Sequence, residues 1–143
     1  MAVQTDYNAT LAPAVAGAQA TMLPASIISR NVEGAPIGFG KPVFQGDADK
    51  GVAASGDDFV GITLLDRSAA GEGDTFRVGD SARVMVEGDV WVEASVAVAA
   101  GDAVAVTAAG AFTNVTTDNT AIDGARWDTS TTAAGQLAVV RLG

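Results

Sequence analysis

The residues best equipped for chemistry in this chain are carboxylates, and they fall into two groups. Glu87 and Asp89 flank Gly88, and Glu93 follows Trp91 by two positions. Paired carboxylates beside a tryptophan are the minimum of a glycoside-hydrolase cleft, one serving as acid and the other as base or nucleophile. One short segment holding its own pair seldom builds a cleft, and a polar turn has the same composition. Asp47, Asp49, Asp57 and Asp58 form the second group. Clustered carboxylates suit Ca²⁺, but the spacing lacks the Asp-x-Asp-x-Asp-Gly run and its distant Glu, so the group reads as a solvated acidic turn. Gly71-Glu72-Gly73 and Gly79-Asp80 resemble phosphate loops only in their glycines. They lack the Lys-Ser/Thr ending and the following helix, and their acids would repel phosphate.

What is missing narrows the chemistry further. The 143 residues include no histidine and no cysteine. Histidine-based general-base catalysis, thiol nucleophiles and zinc sites built on His or Cys are therefore excluded. The expectation is a non-enzyme with no catalytic, cofactor-binding or metal residues and no cofactor. A net charge of −9 repels nucleic acid and anionic lipid, so neither nucleic acid nor membrane is an expected partner. Arg30, Arg67, Arg77, Arg83, Arg126 and Arg141 are too scattered for a nucleic-acid stripe. Six Arg against two Lys leans toward protein interfaces, where a rigid guanidinium fork pairs with carboxylates.

These residues must be positioned by strands. Phe59 to Asp66 alternates Val60, Ile62 and Leu64 against Gly61, Thr63 and Leu65, the pattern of a β-strand. Ile37 to Gln45 is a second candidate, which Pro42 demotes to an edge or bulged strand. Gly79-Asp80 opens a stretch, GDSARVMVEGDVWV, that aligns without gaps with GDAVAVTAAGAFTN from Gly101. Ala82, Val84 and Val86 then match Val104, Val106 and Ala108 at every second position. Each copy reads as a hairpin of Gly-Asp turn, strand, turn glycine and second strand. A looser relative starts at Gly40. Thr116 to Gly135 is polar, with Ile122 and Trp127 as anchors and Asp123-Gly124 as a turn signal. Leu137 to Leu142 is a closing strand. Short strands punctuated by glycine predict an all-β body, a small barrel or sandwich of hairpins. Trp91, Phe112 and Trp127 are its expected core or interface anchors.

The other end differs. All four prolines lie in the first 42 residues, and the first positive charge is Arg30. Residues 1–27 read as an N-terminal arm, extended or partly helical, and residues 28–143 as the body. Leu11, Val15, Met22, Leu23, Ile27 and Ile28 are more apolar than a solvated tail needs, which marks them as candidate contacts with neighbouring subunits. The start lacks the basic residues of a signal peptide, so synthesis in the cytoplasm is expected.

Four segments carry a resemblance. Ile37-Gly38-Phe39-Gly40-Lys41-Pro42-Val43, Phe59-Val60-Gly61-Ile62-Thr63, Val86-Glu87-Gly88-Asp89-Val90-Trp91-Val92 and Ala138-Val139-Val140-Arg141-Leu142 resemble, in order and spacing, the structural cement or head decoration proteins of tailed bacteriophages. The resemblance runs from about Ser29 to the C-terminus. It implies a small β-barrel body, an N-terminal arm, and a place on the outer capsid surface of the virion where capsomers meet. It also implies two partners: the major capsid protein, and the protein itself, as a trimer by preference or else a dimer. It brings no catalytic residues with it. The alternatives are another virion β-module, in a tail tube or fibre, and a carbohydrate-binding module using Trp91 or Trp127 as a stacking platform.

Overall fold

The computed structural model describes residues 15–68 and 75–143. Eleven strands and no helix are found among them: β1 (Ser26–Val32), β2 (Ile37–Gly38), β3 (Pro42–Gln45), β4 (Gly51–Ala53), β5 (Phe59–Thr63), β6 (Thr75–Phe76), β7 (Ser81–Glu93), β8 (Ala103–Val106), β9 (Phe112–Thr113), β10 (Thr120–Trp127) and β11 (Leu137–Leu142). The Gly71-Glu72-Gly73 stretch falls outside the described residues.

Five strands close into a barrel in the order β1-β4-β3-β5-β7, with β7 returning to β1. Only β1–β4 is parallel, at Asn31↔Gly51 and Val32↔Val52. Alternation fills the barrel with Val32, Val43, Val52, Ala82 and Val84, while Ile37, Phe39 and Phe76 join the same core. Phe39 and Phe76 meet edge to face at 5.0 Å. The intervening positions are buried too. Phe44, Ile62, Leu64 and Met85 turn to the other face and join a second core with Val90, Val92, Val104, Val106, Phe112, Trp127, Ala138 and Val140. This second lobe is the sheet β7-β11-β10-β8-β9, drawn round so that Ala94 bridges back to Phe112. Strands covered on both faces have no reason to alternate apolar with polar, and β11 accordingly reads as a nearly continuous apolar run.

Strand β7 belongs to both lobes, and it corrects one expectation. The second echo copy is a hairpin, β8 to β9, turning at Thr107–Gly110. The first copy is one continuous strand of 13 residues. Gly88 bends it with φ +127° instead of turning it back. A Cβ there would lie 2.9 Å from the Ala25 side chain. The strand continues because Val90 and Val92 find the second core while β11 pairs along them, from Gly88↔Leu142 to Glu93↔Leu137. Two further readings change. Ile37 to Gln45 divides into β2 and β3 at the Phe39–Gly40 turn, with Pro42 opening β3, where a missing N–H costs least. Asp123-Gly124 lies inside β10 as a bulge, with the register against β8 shifting between Ala121 and Arg126.

The Gly-Asp echo has a chemical basis. At Gly79-Asp80 the glycine N–H donates to Val32 O (2.9 Å), and Val32 N–H donates to Asp80 O (3.0 Å). At Gly101-Asp102 the same exchange is made with Trp127, at 2.7 and 2.9 Å. It recurs at Gly40-Lys41 with Thr63, at Gly17-Ala18 with Trp91 and at Gly135-Gln136 with Ala94. Two residues oppose one, and the first is a positive-φ glycine in every case, as in a G1-type bulge. Asp80 and Asp102 also accept the backbone N–H three residues back, from Arg77 (2.8 Å) and Ala99 (3.0 Å).

Candidate functional site

The stretch before β1 is built into the fold as a strap. Residues 16–20 run antiparallel beside β7, opposite β11, with a bridge at Gln19↔Val90. Gly17 N–H donates to Trp91 O, Trp91 N–H to Ala18 O, and Ala20 N–H to Asp89 O (2.8, 2.9 and 2.9 Å). On its other side the Gly17 carbonyl accepts Leu65 N–H at 2.9 Å, which ties the strap to the barrel. The approach is as close as backbone allows. A Cβ on Gly17 would lie 2.9 Å from Gly40 N, Leu65 N and Phe39 Cβ, and one on Gly40 would lie 2.7 Å from Gly17 N.

A partly buried ion pair locks the strap's far end. Asp89 is only 2% exposed. Its carboxylate receives Arg141 Nε at 2.8 Å and Nη2 at 3.1 Å, and the Thr21 hydroxyl donates to it at 2.9 Å. Arg141 is steadied from the outside by Asp128 at 3.6 Å. The Arg141 hydrogen bonds hold the Asp89 carboxyl below the ordinary carboxylate range, against the opposing effect of burial and with help from Thr21. The bidentate fork matches charge to charge, so that an otherwise costly buried carboxylate is compensated.

Between strap and β1 the chain loops outward. Met22 is fully exposed (101%) and Leu23 half-exposed (50%), followed by exposed Pro24. The loop is pinned at both ends, by Thr21 on Asp89 and by the Ser26 hydroxyl on Glu87 (3.1 Å). Of the candidate contact residues, Met22, Leu23 and Ile27 thus sit at this end. Val15, 53% exposed, sits at the other end of the strap. Ile28 faces inward and packs against the barrel core, and Leu11 lies outside the described residues.

The carboxylates do not converge. Asp89 is committed to Arg141, while Glu87 and Glu93 are exposed. A general acid needs a raised pKa, and the shift at Asp89 runs the other way. Asp47, Asp57 and Asp58 line a shallow hollow with Glu33, and Asp49 is not among its lining residues. Among the described residues no three acidic side chains gather at metal-binding distance. Trp127 is fully buried, its Nε1 donating to Thr113 O at 3.4 Å, and Phe112 is buried beside it, so neither offers a stacking face. Trp91 is half-buried, between strap and β11. Sequence reasoning missed the Asp89–Arg141–Thr21 lock. The available signal was an arginine set in the apolar closing strand, a position that calls for a carboxylate partner.

A family model described as "Structural cement protein (E217 gp24/Pam3 gp6)" matches residues 3–143. A solved structure from the Myoviridae phage XM1, titled "The capsid of Myoviridae Phage XM1", is similar over 100% of this chain and 98% of its own. The TM-score is 0.74 at 16% identity, a likeness of fold. No curated protein matched the sequence.

Proposed function

We propose, from the premise that this chain belongs to the structural cement protein family, that it binds the outer surface of a phage head where capsomers meet and stiffens the shell there. Capsid cementing is the work of the family, and a virion component with the major capsid protein as partner follows from it. The observation that carries the reading is the family match over residues 3–143, which takes in strap, loop and both lobes together. The β-barrel fold shared with a chain from a phage capsid supports it.

The finer reading concerns the arm. Residues 1–27 act as the contact element and residues 28–143 as the body. Leu11 and Val15 serve one contact, and Met22, Leu23 and Ile27 serve another, at the opposite end of the strap. Ile28 anchors the arm to the barrel, while Trp91, Phe112 and Trp127 hold the body rigid behind it. Self-association, as a trimer by preference or else a dimer, multiplies modest contacts into firm attachment. No catalytic step is involved.

The test is binding of the purified full chain to shells of its own phage lacking it, measured by co-sedimentation. Saturation at a simple ratio to the capsid protein is the expected result, and no sedimentation with the shells refutes the reading. A second arm uses a chain lacking Met1 to Ala14. Removing Met1 to Leu23 would also delete Gly17 and Thr21, and with them the hydrogen bonds that tie the strap to the body. The shorter truncation should keep its melting temperature and bind shells more weakly.

A further inference from the structure

The loop at Met22 and a hollow at the opposite end of the strap are complementary. The hollow, of about 210 Å³, is lined by Pro36, Ile37, Pro42, Ala54 and Ala109, with Lys41 on it as the one charged residue. Its lining residues are largely apolar, and it is open. Its volume is that of about seven waters at ~30 Å³ each, enough for one long aliphatic side chain. Met22 is such a side chain, unbranched and adaptable, and it stands wholly in solvent. No charged residue lies between Asp6 and Arg30, so the knob meets no charge penalty in an apolar seat. Glu87 stands at the base of the knob through Ser26, and Lys41 stands at the hollow. Acid at the knob and base at the hollow are matched in sign.

The knob cannot fill its own hollow. Lys41 and Gly110 also line an adjoining hollow that Ala16 enters at the start of the strap. From Ala16 to Thr21 the strap covers five residues, ~17 Å at ~3.3 Å each. The loop is fixed at both ends on β7 and has no slack to return. We infer that Met22 of one copy seats in the Pro36–Pro42–Ala109 hollow of the next, giving a head-to-tail contact between copies. Knob and hollow are different patches, so the interface is heterologous and closes into a ring when the rotation per copy permits. The inference rests on the self-association in the proposed function and names its contact; it does not depend on shell binding.

The chain has no cysteine, which permits a clean test. Full-length copies carrying Met22→Cys are mixed with copies carrying Ala54→Cys and oxidised. A disulfide-linked dimer is expected from the mixture and from neither variant alone. In sedimentation equilibrium the full chain assembles, and Met22→Asp raises the dissociation constant about 30-fold or more, the scale of a hot-spot residue. Lys41→Glu and Glu87→Lys each weaken assembly, and the double variant restores it, which a folding defect would not do. A monomeric full chain at all concentrations up to millimolar overturns the inference. So does unchanged assembly by Met22→Asp, including the case in which that variant loses only shell binding. A chain that assembles through this contact yet ignores shells leaves the inference standing and refutes the cement reading. A monomer that binds shells does the reverse.

Discussion

Replacing Gly17 with alanine should loosen the strap, and the size of the effect follows from its surroundings. Gly17 has φ +88°, a left-handed conformation that costs an L-residue ~1–2 kcal/mol. The new methyl would lie 2.9 Å from two backbone nitrogens and the Phe39 Cβ, none of which is the end of a flexible side chain. The strap must therefore shift, which weakens the Gly17–Trp91 and Leu65–Gly17 hydrogen bonds, each with a net contribution of ~0.5–1.5 kcal/mol. Together these give ~2–4 kcal/mol, a large part of a typical domain's ~5–15 kcal/mol. The melting temperature should fall by about 5–15 °C. Gly101→Ala is the matched control. Its φ is +97°, but nothing lies within 4 Å of the added methyl, so only the backbone term of ~1–2 kcal/mol applies. Calorimetric melts of both variants, with amide exchange at Gly17, Ala20, Leu65 and Trp91, separate the two contributions. Equal losses in the two variants, with strap amides still protected, would refute the close-approach argument.

Four further outcomes are expected. Asp89 is held as a carboxylate by Arg141 first and Thr21 second, so its folded pKa lies below the unfolded value of ~3.9. Its stabilisation is therefore complete above that value and lost as pH falls through the folded pKa. Melts from neutral pH to pH ~2 should show wild type losing stability through the acid range and converging on Asp89→Asn, which starts lower and varies less there. Thr63→Val should cost ~1–3 kcal/mol in denaturant unfolding, because the buried hydroxyl donates to Gly38 O (2.7 Å) and accepts Lys41 N–H (3.0 Å). Trp127→Ala should cost ~3–5 kcal/mol and abolish most of the near-ultraviolet dichroism, since the ring is fully buried in the second core. At a concentration where wild type is monomeric, Met22→Asp should melt within ~0.5 kcal/mol of it, since its side chain touches little of its own molecule.

How far the sequence could be read depended on whether a residue's partner lay nearby in the chain. Leu137 to Leu142 was legible as a strand with the bounds it has, because the apolar run is local. The Gly-Asp echo was legible as a pair, and even its faint relative at Gly40 shares the same hydrogen-bond exchange. Gly88 was misread because a turn glycine and a bend glycine look alike. The difference lies in β11, about fifty residues later, which pairs across the bend. Asp89 looked like one of three equivalent acids. Only the register of β7 against β11 brings Arg141 onto it, and alternation within either strand cannot specify that register. Met22 and Leu23 were picked out as apolar contact candidates from composition alone. What composition could not give was the strap that separates them from Val15.

The strap also has a mechanical consequence. Bonds between antiparallel strands lie across the strand axis. Tension on residues 1–14 enters the body at Val15 and runs along the strap, so it strains the bonds at Gly17, Ala18 and Ala20 side by side in shear. Unzipping, in which they would fail one at a time, needs a pull at right angles. The pull passes into β7, which spreads it to β1 and β5 in one lobe and β11 in the other. A capsid cement protein gains from this alignment, because a tug on its end is resisted by both lobes at once.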